Sequence, residues 1–190
     1  MTTLAPTIYT LVFPRAANWL RNAVLIVSGA LLVAVLAQIN IPLPFTPVPI
    51  TGQTFGVLLV GAALGSKRGA ASLAFYLVMG TLGLPFFAGG THGLPILTGA
   101  TGGYLLGFVL TAYSIGLLAE RGLERSVRTS LLAFLIGTIV IYICGITWLA
   151  VVLGSFSKAI AAGLLPFLMG DAIKLLAASL VLPGAWKLVR

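Results

Sequence analysis

Pro166-Phe-Leu-Met-Gly170-Asp171-Ala-Ile-Lys174-Leu-Leu-Ala-Ala-Ser-Leu-Val-Leu182 reads as one apolar helix with two charges inside it. Asp171 is the only aspartate of the chain. Lys174 follows three residues later, so both side chains share one helix face. In a bilayer, each charge at mid-depth costs about 2.5–3.5 kcal/mol. A pair kept at that cost either forms a structural ion pair or touches a ligand, an ion or a proton.

The composition makes a bilayer the solvent. Of 190 residues, 59% are hydrophobic and 7% charged, and the mean hydropathy is +1.15. Such a chain cannot cover a water-facing surface with polar groups. Its charges are also clustered: none falls between Arg21 and Lys67, between Arg68 and Glu120, or between Arg128 and Lys158. Each gap holds one or two helical spans of about 20 residues. The expectation is an all-α, multi-pass protein of the cell (inner) membrane, one integral domain over 1–190. Residues 1–20 form a partly interfacial extension and 21–187 the helical core. The first twenty residues lack a basic n-region and carry Pro6 and Pro14 before the first basic residue, so they are not read as a signal peptide.

Six spans are expected, starting near Asn22, Thr54, Gly69, Thr101, Thr129 and Pro166. With both termini cytoplasmic, the inner side collects Arg15, Arg21, Lys67, Arg68, Arg121, Arg125, Arg128, Lys187 and Arg190, and the outer side only Lys158. That asymmetry follows the positive-inside rule. It also accounts for the net charge of +8 without any nucleic-acid partner. Trp186, Lys187 and Arg190 read as an interfacial anchor after a helix closed by Pro183-Gly184, and Gly154–Gly163 reads as a turn.

Between spans one and two, Pro42, Pro44, Pro47 and Pro49 exclude helix. Irregular backbone in a membrane protein is buried or lines a cavity, so Pro47-Val-Pro-Ile-Thr51-Gly-Gln53-Thr-Phe-Gly56 is read as a cap over one. A second irregular loop, Gly83 to Pro95, carries His92. In this topology both loops and Pro166 face outward, above Asp171 and Lys174. The arrangement is a lidded pocket open to the exterior. Asp171 is an acceptor for N–H groups and Lys174 a donor to carbonyl or carboxylate oxygens. His92 is either a ligand contact or a loop histidine, and with no His, Cys or acidic partner near it no metal site is expected. Tyr76 and Tyr104 either stack on a ligand or pack. Ala30 and Ala34, in Ser28-Gly-Ala30-Leu-Leu-Val-Ala34, allow close approach by a helix of this chain or of a partner. Gly99, Gly103 and Gly107 form a second small-residue face. Cys144 has no cysteine to pair with.

No enzyme is legible. One aspartate cannot make a diaspartyl protease, no Gly-x-Ser-Gly context occurs, and Gly99-Ala-Thr-Gly-Gly103 lacks the Lys-Ser/Thr of a P-loop. Uphill transport would need a partner or an ion gradient.

Four ordered motifs carry a resemblance. Pro47–Gly56, Gly83-Leu-Pro-Phe-Phe-Ala-Gly-Gly90, Thr101-Gly-Gly-Tyr104-Leu-Leu-Gly-Phe108 and Gly170-Asp-Ala-Ile-Lys174 resemble the BioY family, the biotin-binding S components of energy-coupling factor (ECF) transporters. The likeness covers about residues 20–186. It implies the six-helix S-component fold and biotin in the outward pocket, with Asp171 and Lys174 at its polar end. Thr51, Gln53, Tyr76, His92 and Tyr104 are the further substrate-binding candidates. It implies docking of the Ala30/Ala34 face on a transmembrane T component driven by two cytoplasmic ABC-type ATPases, and no cofactor. The alternative is a stand-alone permease or channel working as a homo-oligomer.

Overall fold

The computed structural model describes residues 3–12, 14–15 and 17–189. Its helices are α1 (Leu4–Val12), α2 (Asn18–Ala37), α3 (Gln53–Leu64), α4 (Ser66–Thr81), α5 (Leu94–Thr98), α6 (Gly102–Glu120), α7 (Val127–Leu153), α8 (Phe156–Gly163) and α9 (Leu168–Val189). A two-stranded antiparallel hairpin, β1 (Asn40–Ile41) and β2 (Ile50–Thr51), sits between α2 and α3. Arg190, part of the expected anchor, lies outside the described residues.

Among the described residues, four helices are long and apolar enough to cross a membrane: α2, α6, α7 and α9. Expected spans two and three are α3 and α4, of 12 and 16 residues. At 1.5 Å per residue these reach about 18 and 24 Å, short of a hydrocarbon core of about 30 Å. The structure therefore has four clear spans where six were expected.

Helix α6 lies at the centre, against α3, α4 and α7. Its most apolar stretch is 61% buried, against 28–33% for α2, α7 and α9, so the latter three lie nearer the outside of the bundle. Without a hydrophobic drive between helices in lipid, close approach supplies the packing energy. Gly103 shows it: a Cβ there would stand 2.2 Å from the Trp148 Cβ and 2.6 Å from the Cys144 carbonyl oxygen. Gly107 meets Cys144 in the same way. The glycine face of α6 is where α7 docks.

Helix α2 turns its small residues inward. Ala30 is 0% and Ala34 6% exposed, and both belong to the core with Val33, Val57 and Leu73. The outward face of α2 is Val24, Val27, Leu31 and Val35. The small residues of the expected docking face thus seat α2 on α3 and α4 within the chain.

Three boundaries also differ from expectation. Gly154–Gly163 is not a turn: Ser155 caps a short helix, accepting from the Lys158 N–H, and Ala159 is buried among core residues. Pro166 lies ahead of α9, in the bend 164–167, and the helix starts at Leu168. Pro183 does not close α9, which runs on to Val189. A proline costs the ladder one N–H donor.

Candidate functional site

The hairpin places the first wall. Prolines 42, 44, 47 and 49 keep residues 42–49 out of helix, so this segment crosses the bundle end. Thr46 Oγ1 donates to the Ala162 carbonyl of α8 at 2.7 Å, and the Val48 N–H donates back to Thr46 Oγ1. Opposite, Phe87 is buried at 1% exposure and meets Tyr76 edge-on, with ring centroids 5.6 Å apart. Between these two irregular segments and α3, α6, α7 and α9 lies a cavity. Val48, Phe87, Phe108, Ile141 and Phe167 give it apolar walls. The expectation that the proline segment caps a cavity holds.

The polar groups gather at one side. Lys174 Nζ lies 2.9 Å from Asp171 Oδ1 and donates to Thr54 Oγ1, also at 2.9 Å. Thr54 Oγ1 lies 3.5 Å from Asp171 Oδ1, and the Tyr142 hydroxyl donates to Oδ2 at 2.5 Å. Asp171 is 8% exposed. A carboxylate has about four lone-pair sites. Three donors occupy it here, which leaves one acceptor site on Oδ2. Lys174 uses two of its three donors and keeps one. The pair is therefore an ion pair and still offers one acceptor and one donor side by side.

A second polar group lies beside it. Thr51 Oγ1 donates to Gln53 Oε1 at 2.9 Å, and Gln53 Nε2 donates to the Tyr76 hydroxyl at 2.5 Å. Thr51 and Gln53 line the cavity; Tyr76, fully buried, stands behind Gln53 and orients it. Tyr104 lines the cavity too. Its ring fills the space a Cβ of Gly145 would need, and its hydroxyl donates to the Gly163 carbonyl at 2.8 Å.

Of the expected substrate-binding residues, Asp171, Lys174, Thr51, Gln53 and Tyr104 line one cavity. Tyr76 reaches it only through Gln53. His92 is exposed on the loop before α5 and is not among the lining residues. From that segment it is Phe87 and Ala88 that line the cavity, while the histidine stands on the exposed part of the loop. Tyr142 and Thr54 were missed. A tyrosine in the apolar run Ile141-Tyr142-Ile143 has a hydroxyl that must find a partner in lipid, and that was the available signal. Among the described residues no cluster of three His, Cys, Asp or Glu could hold a metal.

The sequence profile of the BioY family matches residues 6–190. The chain belongs to the BioY family. Members include "Biotin transporter BioY" of Rhizobium etli, 39% identical over 161 residues, covering 80% of this chain and 86% of the relative. "Biotin transporter BioY" of Thermotoga maritima is 40% identical over 157 residues, covering 83% and 92%. Among solved structures, the crystal structure of the S-component for biotin from an ECF-type ABC transporter superposes with a TM-score of 0.82 at 26% identity. That match covers 90% of this chain and 95% of that one. The chain therefore has an S-component fold, and the residues lining the cavity lie within the stretch matched by the family profile.

Proposed function

We propose that the chain is the biotin-capturing S component of an ECF-type vitamin importer, and no enzyme. The observation that carries this reading is the adjacent acceptor and donor of Asp171 and Lys174, set at one side of an otherwise apolar cavity. The ureido ring of biotin presents N–H beside C=O. Asp171 Oδ2 takes the N–H through its remaining lone pair, and Lys174 gives its remaining donor to the carbonyl. A ligand carboxylate beside Asp171 would face like charge, so the valerate end points away from the pair. The thiolane ring lies against Phe87, Phe108 and Phe167, and Thr51, Gln53 and Tyr104 complete the lining.

The cavity is about 60 Å³ in this state, well below the roughly 300–1,000 Å³ of sites for ligands of this size. Biotin therefore enters by displacement of the walls. Those free to move without breaking a span are residues 42–49 and 83–93, each tied to the bundle by few hydrogen bonds. Both face outward in the orientation that puts Arg21, Lys67, Arg68 and the 121–128 cluster inside, with α3 and α4 as the two short spans of a six-span core. Residues 1–20 are an extension of that single domain. The chain has no nucleotide-binding motif, so energy comes from a T component and two cytoplasmic ABC-type ATPases.

Uptake of labelled biotin by a biotin-auxotrophic host tests the reading. Accumulation should require the chain together with a T component and its ATPases. Concentrative uptake by the chain alone, unaffected by loss of ATPase activity, would instead make it a stand-alone permease.

A further inference from the structure

At the opposite end of the bundle from the biotin cavity lies a second concave site. The starts of α2 and α4, the end of α6 and the polar side of α1 enclose a cavity of about 270 Å³, lined by Thr3, Thr10, Arg21, Arg68 and Glu120 among others. Its charges are unbalanced. Among the described residues neither Arg21 nor Arg68 forms an ion pair; the two ion pairs are Lys174–Asp171 and Arg125–Glu124. The one carboxylate in the lining, Glu120, is turned to α4: its Oε1 accepts from the Ser66 N–H and hydroxyl, both at 2.8 Å. Arg21 Nε is shielded from solvent and donates to nothing among the described residues. Arg68 is aimed by its Nε, which donates to Asn22 Oδ1 at 2.8 Å and leaves the Nη groups for the cavity. A neighbouring cavity of about 240 Å³ shares Arg68 and Glu120 and adds Lys67.

Two guanidiniums held against one cavity repel each other, and a planar, multidentate anion satisfies both. The depth fits a membrane surface. Arg21 lies in the first turn of a spanning helix, and Glu120 ends another. Helix α1 closes the site and exposes Ile8 and Leu11 beside it, as an interfacial helix does. Basic pockets between helices at a membrane surface take phospholipid headgroups. We propose that Arg21 and Arg68 form a binding site for a phosphate group, of which an anionic phospholipid headgroup or free phosphate is the source, and that its occupancy fastens α1 to the bundle.

The test is native mass spectrometry of the full chain in uncharged detergent, titrated with phosphatidylglycerol or phosphatidylcholine. The first phosphatidylglycerol should bind at a concentration lower by about tenfold or more than phosphatidylcholine. Arg21→Gln with Arg68→Gln should abolish that preference in a chain that stays monodisperse. If the double variant does not fold, Arg21→Gln alone decides, because Arg21 Nε holds no hydrogen bond to lose. Displacement of the lipid by millimolar inorganic phosphate would assign the site to free phosphate; retention assigns it to the headgroup. Equal binding of the two lipids by the wild type with no effect of inorganic phosphate, or a preference that survives the substitutions, would overturn the proposal.

Discussion

Asp171→Asn is the substitution whose effect follows most closely from the geometry. The carboxylate accepts from Lys174, Thr54 and Tyr142 and keeps one lone pair for a ligand N–H. The amide that replaces it carries two donors on one side. Wherever it is oriented, it loses either the ligand N–H contact or the one to Lys174, because the hydroxyls of Tyr142 and Thr54 can turn and accept while a ligand N–H and an ammonium cannot. A hydrogen bond to a charged group is worth about 1.5–3 kcal/mol, and 1.4 kcal/mol is tenfold in affinity. Loss of the ligand contact alone therefore weakens biotin binding by about 10- to 100-fold. Calorimetry with biotin and with biotin methyl ester separates the two ends of the ligand. If Asp171 meets the ureido ring, the substitution costs the acid and the ester the same factor. Unchanged biotin affinity in a monodisperse Asp171→Asn sample would refute the assignment, and a gain confined to the free acid, from relief of like-charge repulsion, would reverse the orientation of the ligand.

Four further outcomes follow. Tyr142→Phe strips Asp171 Oδ2 of its donor and should destabilise the chain by about 1.5–3 kcal/mol, read as a lower midpoint in thermal unfolding, with a smaller loss of biotin affinity than Asp171→Asn. His92→Ala should leave the biotin dissociation constant within about twofold, since exposed substitutions away from such features are usually near-neutral; a tenfold loss would put the histidine back in the site. Gly103→Val should prevent a monodisperse preparation, because Trp148 and the α7 backbone occupy the space of its side chain. Glu124, in the loop before α7, is 2% exposed, and burial pushes its carboxyl above the usual range against the pull of Arg125. Its folded form then binds the proton more tightly than the unfolded chain, so its contribution to stability falls as pH rises above the ordinary glutamate range. Glu124→Gln should raise the unfolding midpoint at pH 7.5, and the gain should vanish in acid.

The long spans were legible because their signal is composition. Charge-free gaps placed α2, α6 and α7 within a few residues of their observed cores, the apolar run around Asp171 and Lys174 placed α9, and Gly103 and Gly107 marked a face that α7 covers. Boundaries set by local chemistry were harder. Gly154 and Gly163 suggested a turn, yet Ser155 caps a helix between them, and Pro183 suggested a stop where the helix continues. The direction of a small-residue face is not encoded in its spacing. Ala30 and Ala34 looked available to a partner, and only the packing of α2 on α4 shows them spent inside the chain. In the site, Asp171 and Lys174 stood out as charges in an apolar helix. Tyr142 reaches the same carboxylate from 29 residues away, and no local pattern joins the two. His92 drew notice by being the lone histidine, a property of composition and not of place.

Titration of biotin into the purified full chain in detergent, followed by calorimetry, tests the central claim most directly, with riboflavin as the comparison. The account predicts saturable one-to-one binding of biotin in the nanomolar range and no heat with riboflavin. A folded, monodisperse chain that binds no biotin would contradict it, and the cavity at Asp171 and Lys174 would then belong to another ligand.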